Sequence, residues 1–171
     1  NHDVTVDTSS DPVVSVTDVH TTLAGGTYGV GQEIPITVVF SAPLLLNGTD
    51  PALGLGSGVG GTTVFSAVLT NATSNATSST LVFIYTVQRG DNATRLRYTG
   101  TEALVPNSGG GAGSITDLHG RDVDTTLPLP GTNASLSGKT LIAVNTEPPY
   151  ITGIGSRLEE GEYGVGQVRE V

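Results

Sequence analysis

Apolar and polar residues alternate with a period of two along most of this chain. Ile34, Ile36, Val38 and Phe40 are separated by Pro35, Thr37 and Val39, which gives an extended segment one strongly apolar, core-facing side. Thr80 to Val87 behaves similarly, with Leu81, Phe83, Tyr85 and Val87 on one side. Val82 and Ile84 make its other side apolar too, as expected of a central strand. Further strands are predicted at Val13 to Val19, Leu44 to Leu46 with Leu53 to Leu55, Thr63 to Leu69, Thr94 to Thr99 and Lys139 to Asn145. Turn chemistry separates them at Asn47-Gly48, Arg89-Gly90-Asp91-Asn92 and Ser137-Gly138. The helical period is nowhere convincing. The stretch from Pro106 to Ser114, with Gly109-Gly110-Gly111 inside it, is expected to be the most flexible loop. About seven short strands at this spacing predict an all-β fold of the β-sandwich type.

The chain also repeats itself. Tyr28-Gly29-Val30-Gly31-Gln32 returns as Tyr163-Gly164-Val165-Gly166-Gln167, an offset of 135 residues, and Val6-Asp7-Thr8 has a counterpart in Val144-Asn145-Thr146, at an offset of 138. Fixed-period self-similarity marks a repeat architecture. A unit of this size buries roughly two-thirds of its unfolded surface and sustains its own core, unlike the short units of solenoids. The expected organisation is the last strand and linker of a preceding repeat at 1–12, a complete repeat at 13–146, and the linker and first strand of a following repeat at 147–171. Read this way, the terminal strands are shared with adjacent repeats, because the apolar positions and backbone groups of half a fold need another copy to satisfy them.

The order of motifs resembles a known family. Val14-x-Val16, Gly26-Thr27-Tyr28-Gly29-Val30-Gly31, Ile34-x-Ile36-x-Val38-x-Phe40-Ser41, Pro51-x-Leu53-x-Leu55, Leu81-x-Phe83-x-Tyr85-x-Val87, Gly90-Asp91, Leu96-x-Tyr98 and Ile115-x-Asp117-x-x-Gly120 follow one another as in the cadherin-like or immunoglobulin-like repeats of large extracellular surface proteins. The resemblance covers nearly all of 13–146. It implies an immunoglobulin-like (cadherin-like) sandwich and a role as spacer, extender or filament module. The linker Asp7-Thr8-Ser9-Ser10-Asp11-Pro12 carries acids, whereas Asn145-Thr146-Glu147-Pro148-Pro149 lacks the first aspartate.

Composition agrees with many strands joined by glycine-rich turns: 24 Gly, 9 Pro and only 13% charged residues. The formal charge of -9 disfavours a nucleic-acid surface, since seven Lys and Arg against sixteen acids leave no basic patch to displace counterions. No apolar run approaches the roughly 20 residues that span a bilayer, so membrane insertion is not expected. The absence of cysteine removes disulfides and thiol chemistry.

The strongest chemical signal is modification. Asn47, Asn71, Asn75, Asn92 and Asn133 stand in Asn-x-Ser/Thr sequons, five of eight asparagines, where the 39 Ser and Thr among 171 residues would place about two by chance. All five fall in predicted turns or loops, where a glycan stands in solvent without displacing the core. Occupied sites would sheath the strand edges and resist proteolysis. Thr125-Thr126-Leu127-Pro128-Leu129-Pro130 is a further O-linked candidate.

Other motifs are weaker. Gly56-Ser57-Gly58-Val59-Gly60-Gly61 satisfies G-x-G-x-x-G, but no helix follows to receive a pyrophosphate. His2, His20 and His119 lack metal-ligand spacing, and no metal site is expected of them. Asp117, Asp122 and Asp124 are candidate calcium ligands with Asp7 or Asp11, though the Asp-x-Asx-x-Asx-Gly loop is absent. No cofactor other than covalent glycan is expected, with calcium left open. No serine lies in a nucleophile elbow and no motif supports a hydrolase, so catalysis is not expected. Two readings remain: a structural repeat unit of a glycosylated extracellular filament that contacts its own copies head-to-tail, and an adhesin or carbohydrate-binding module carried on a repeat stalk. The second would require an exposed aromatic or convergent polar cluster, against only three Phe and five Tyr.

Overall fold

The alternation that begins at Ile34 produces the longest strand among the described residues. In the computed structural model, which describes residues 12–47, 51–56, 64–66, 68–69, 78–106, 114–148, 151–155 and 164–166, the chain is mostly β. Strand β1 (Val16–His20) is followed by β2 (Gly26–Tyr28) and β3 (Glu33–Asn47). Ile34, Ile36, Val38 and Phe40 are buried and the residues between them half-buried, as the period of two requires.

Strand β3 anchors the first sheet. It pairs antiparallel with β7 (Ser78–Thr86) on one edge, and on the other with β1 and then β11 (Ser114–Asp117). The Leu44–Leu46 stretch is thus not a separate strand but the continuation of β3. The ladder to β7 shifts register between Val39 and Leu44, where Pro43 has no N–H to donate. Strand β6 (Val68–Leu69) pairs with the outer edge of β7. Val82 and Ile84 are half-buried, in keeping with a strand that has neighbours on both edges.

A second sheet is centred on β4 (Ala52–Gly56), buried along nearly its whole length. It pairs with β5 (Val64–Ser66) on one edge and with β9 (Arg97–Tyr98) and β10 (Leu104–Val105) on the other. The predicted strand Thr63 to Leu69 is therefore divided, its first part pairing with β4 and its second with β7. Strand β12 (Ile142–Asn145) runs parallel to β2 and antiparallel to β8 (Asn92–Ala93), and Leu96 N donates to Ile142 O at 2.7 Å. Within the predicted strand Thr94 to Thr99, only Arg97–Tyr98 has strand geometry.

One apolar cluster joins the sheets. Val19, Ile36, Val38, Leu81, Phe83 and Tyr85 of the first sheet share it with Leu53, Leu55, Tyr98, Ile142 and Val144 of the other strands and with Leu96 just before β9. A short helix, α1 (Leu136–Lys139), closes the cluster with Leu136 fully buried. It overturns two expectations: Ser137-Gly138 lies inside a helical turn, and the strand expected from Lys139 starts only at Ile142. The cause is Ser135, which caps the helix from outside the apolar pattern.

Candidate modification sites and the two ends of the domain

The turn shared by both copies of the pentapeptide is built from its own residues. Gln32 N donates to Gly29 O at 3.2 Å, and Gly31 has φ +82° while Val30 does not enter the positive region, which makes a type II turn. Glycine is required there because a Cβ disfavours that conformation. The Gln32 side chain accepts from Gly29 N at 2.6 Å, and Tyr28 Oη donates to Ala24 O at 2.8 Å. In the second copy Gly166 has φ +98°, the same hand, and Val165 and Gly166 again form a turn.

In the first copy the turn sits at the exit end of the domain. Gly31 N donates to Val87 O at 2.8 Å and Val87 N to Gln32 O at 2.9 Å. Beside it, Asp91 is 2% exposed and accepts from Tyr85 Oη at 2.5 Å and from Gln88 N at 2.8 Å. Thr146, just past β12, fastens the chain to this corner: its hydroxyl accepts from Gly90 N at 3.0 Å and donates to Asp91 O at 2.9 Å. These side chains hold the corner closed. Sequence reasoning assigned Tyr85 to the core and Asp91 to a turn, and missed the bond between them.

At the entry end, Pro12, Val13 and Val14 border a concavity of about 340 Å³ completed by Ala42, Pro43 and Leu118. Asp117, His119 and Arg121 lie on its wall. Asp117 is nearly buried, and its carboxylate is committed. Oδ1 accepts from the backbone N of His119 (2.8 Å) and of Arg121 (2.9 Å), and Oδ2 accepts from Arg121 Nε at 2.7 Å. The backbone donor of Arg121, then its side chain and charge and the backbone of His119, hold this carboxyl below the ordinary value against the opposing effect of burial. Asp124 is lowered too, by the hydroxyl and backbone N–H of Thr126. Asp122 pairs through its backbone with Thr116 in an isolated antiparallel bridge. Among the described residues no three His, Asp or Glu group so as to hold a metal ion. Asp7 and Asp11 lie outside the described residues.

Because the folded pKa of Asp117 is depressed, its contribution to stability is present above the unfolded carboxylate value of about 3.9 and is lost as pH falls through the lower folded value. Asp117→Asn is accordingly expected to weaken the fold at pH 7. The difference from the parent should shrink below about pH 4, read by urea unfolding at several pH values. A gap independent of pH would mean that the carboxylate charge is not what Arg121 and the loop amides stabilise.

The sequons fall in three different environments. Asn47 is exposed but ends β3 opposite Ser114, and its Nδ2 donates to Thr116 Oγ1 at 3.0 Å. Asn92 is half-buried in β8, opposite Asn145. The expectation that both lie in turns is corrected, since each is the terminal residue of a strand whose partner comes from far along the chain. Asn133 is exposed in a turn, as expected. Its sequon hydroxyl, Ser135 Oγ, is fully buried; it accepts from Gly131 N (2.9 Å) and Gly138 N (3.2 Å) and donates to Thr132 O (2.8 Å). A helix cap alone accounts for a serine at that position. Asn71 and Asn75, the Gly109-Gly111 loop and most of the G-x-G-x-x-G stretch lie outside the described residues.

The histidines are separate. His20 Nδ1 is 2.9 Å from Asp18 Oδ2, and Asp18 also pairs with Lys139 Nζ at 2.6 Å, whereas His119 is largely exposed beside Asp117. No helix among the described residues is long and apolar enough to cross a membrane. No protein-family model, curated protein or solved structure matches the chain.

Proposed function

We propose that this chain is a structural repeat unit of a glycosylated extracellular filament or fibrous surface protein, and that 13–146 is an immunoglobulin-like sandwich arrayed head-to-tail with its copies. The sandwich reading is supported by the pairing order β1-β3-β7-β6 in one layer and by the parallel pairing of β2 with β12 beside the β4 layer. One observation carries the array: Gly31 and Gly166 of the recurring pentapeptide both take positive φ, while the apolar residues Ile151 and Ile154 ahead of the second copy stand exposed. Ile151 and Ile154 stand 135 positions after Val16 and Val19. Val19 is completely buried, yet Ile151 is 79% and Ile154 83% exposed. Such positions favour a further strand to pair with. Contacts between unlike ends of identical units propagate rather than close.

Glycan at the sequons suits the same role, because Asn47 and Asn133 are exposed and the strand edges of an extracellular fibre need cover from one another. Secreted from a eukaryotic host, the chain is expected to carry N-glycans at Asn47 and Asn133 by peptide mass spectrometry. It should also sediment as species that grow with concentration. Bare asparagines would remove the glycoprotein part of the reading, and a strict monomer at all concentrations would remove the head-to-tail part.

A further inference from the structure

The residues of the sequon Asn133-Ala134-Ser135 are divided between water and the fold. The Asn133 side chain is exposed, whereas Ser135 is completely buried. Its hydroxyl is engaged three times, by Gly131 N, Gly138 N and Thr132 O. The backbone is tied down as well. Ser135 N donates to Thr132 O at 2.9 Å, Lys139 N donates to Ser135 O at 3.1 Å, and Ala134 O accepts from Val19 N of β1 at 2.9 Å.

Glycan transfer to such a sequence reads the hydroxyl two positions on as well as the asparagine amide. In the transfer, Asn133 Nδ2 forms a bond to the anomeric carbon of a lipid-linked oligosaccharide as the bond from that carbon to the donor's diphosphate breaks. The diphosphate leaves with the electron pair, and the amide gives up one proton to solvent. On the folded domain the amide is within reach and the hydroxyl is not. Freeing the hydroxyl breaks its three hydrogen bonds, undoes α1 and withdraws Leu136 from the core. Once the sugar is attached the conflict ends. The glycan stands in solvent on Asn133, and Ser135 is free to cap the helix.

We infer that Asn133 receives its glycan only before α1 closes, so that local folding shuts a modification site whose acceptor amide stays exposed. The inference rests on the glycoprotein reading and adds its timing. Chain order makes the interval short, since Val19 precedes the sequon and Gly138 follows Asn133 by five positions. Asn92 differs: its sequon hydroxyl, Thr94, is exposed, and its strand partner Asn145 comes 53 positions later. Of these two sites, Asn133 is the one whose hydroxyl the fold consumes.

The test compares full-length chains made in a host without N-glycosylation and then given purified oligosaccharyltransferase and a lipid-linked oligosaccharide. One is the folded parent; another is kept unfolded by Ile36→Asp with Phe83→Asp, which place charges in the core. Peptide mass spectrometry is expected to find Asn133 modified about tenfold or more faster in the unfolded chain, because a closed site reacts only through its open fraction. Gly138→Ala, which pushes α1 off the Thr132 carbonyl, should raise transfer at Asn133 and leave Asn92 unchanged. Comparable rates at Asn133 in folded and unfolded chains would overturn the inference, as would a Gly138→Ala variant with no rise there or with an equal rise at Asn92. An unfolded chain modified at Asn47 and Asn92 but not at Asn133 would also overturn it, and leave the glycoprotein reading standing. No transfer to any sequon of the unfolded chain would remove both.

Discussion

Truncation of Phe83 to alanine is expected to cost about 4 kcal/mol of folding stability, the largest effect of any single side chain here. Phe83 is completely buried in β7, paired in register with Ile36 on one side and Leu69 on the other. Its ring lies in the cluster that joins the sheets, so its loss removes transfer free energy and leaves a cavity that neighbouring strands cannot collapse to fill. Against the 5–15 kcal/mol typical of a domain, roughly a third or more of the total disappears. Urea unfolding followed by far-ultraviolet circular dichroism measures it. A loss under about 1.5 kcal/mol, the range of volume-conserving swaps, would mean that the layers are not packed through this residue.

The second large effect comes from the smallest residue. A Cβ on Gly138 would fall 1.9 Å from Thr132 O and 2.6 Å from its carbonyl carbon, both backbone atoms that cannot swing aside. Gly138→Ala is expected to destabilise by about 3 kcal/mol through overpacking, although alanine is otherwise the better helix former. The displaced helix would take with it the cap in which Gly131 N and Gly138 N share the buried Ser135 hydroxyl. The sign is diagnostic. A neutral or stabilising Gly138→Ala in the same urea assay would show that α1 does not pack on the Thr132 carbonyl as described.

Which parts of this fold were readable in advance follows from how local their causes are. The strands around Ile36 and Phe83 write their buried face into every second residue, so their existence and inward side follow from the pattern alone. The type II turn is equally local, since Gly29, Gly31 and Gln32 make it among themselves. Helix α1 is not, because four residues are too few to express a helical period, and its cap, Ser135, reads equally well as part of a sequon. Asn47 and Asn92 looked like turn residues because asparagine and a following glycine or alanine carry no strand preference. Their partners, Ser114 and Asn145, lie 67 and 53 positions away, and nothing in a short window reports such pairing. The calcium candidates illustrate the same limit: Asp117 counts as a ligand until Arg121 is found on its carboxylate. Thr146 could not be singled out at all, as its role exists only once Gly90 and Asp91 have folded beside it.

The parallel pairing of β2 with β12 bears on how the molecule meets tension. Strands β1 and β2 lead the chain in from one end and β12 leads it out at the other, so a pull on both sides drags β2 and β12 in opposite directions along their common axis. The bonds joining Gly26–Tyr28 to Leu141–Val144 are then loaded together, in shear, instead of opening one after another like a zipper. Rupture under load requires the whole row to fail at once.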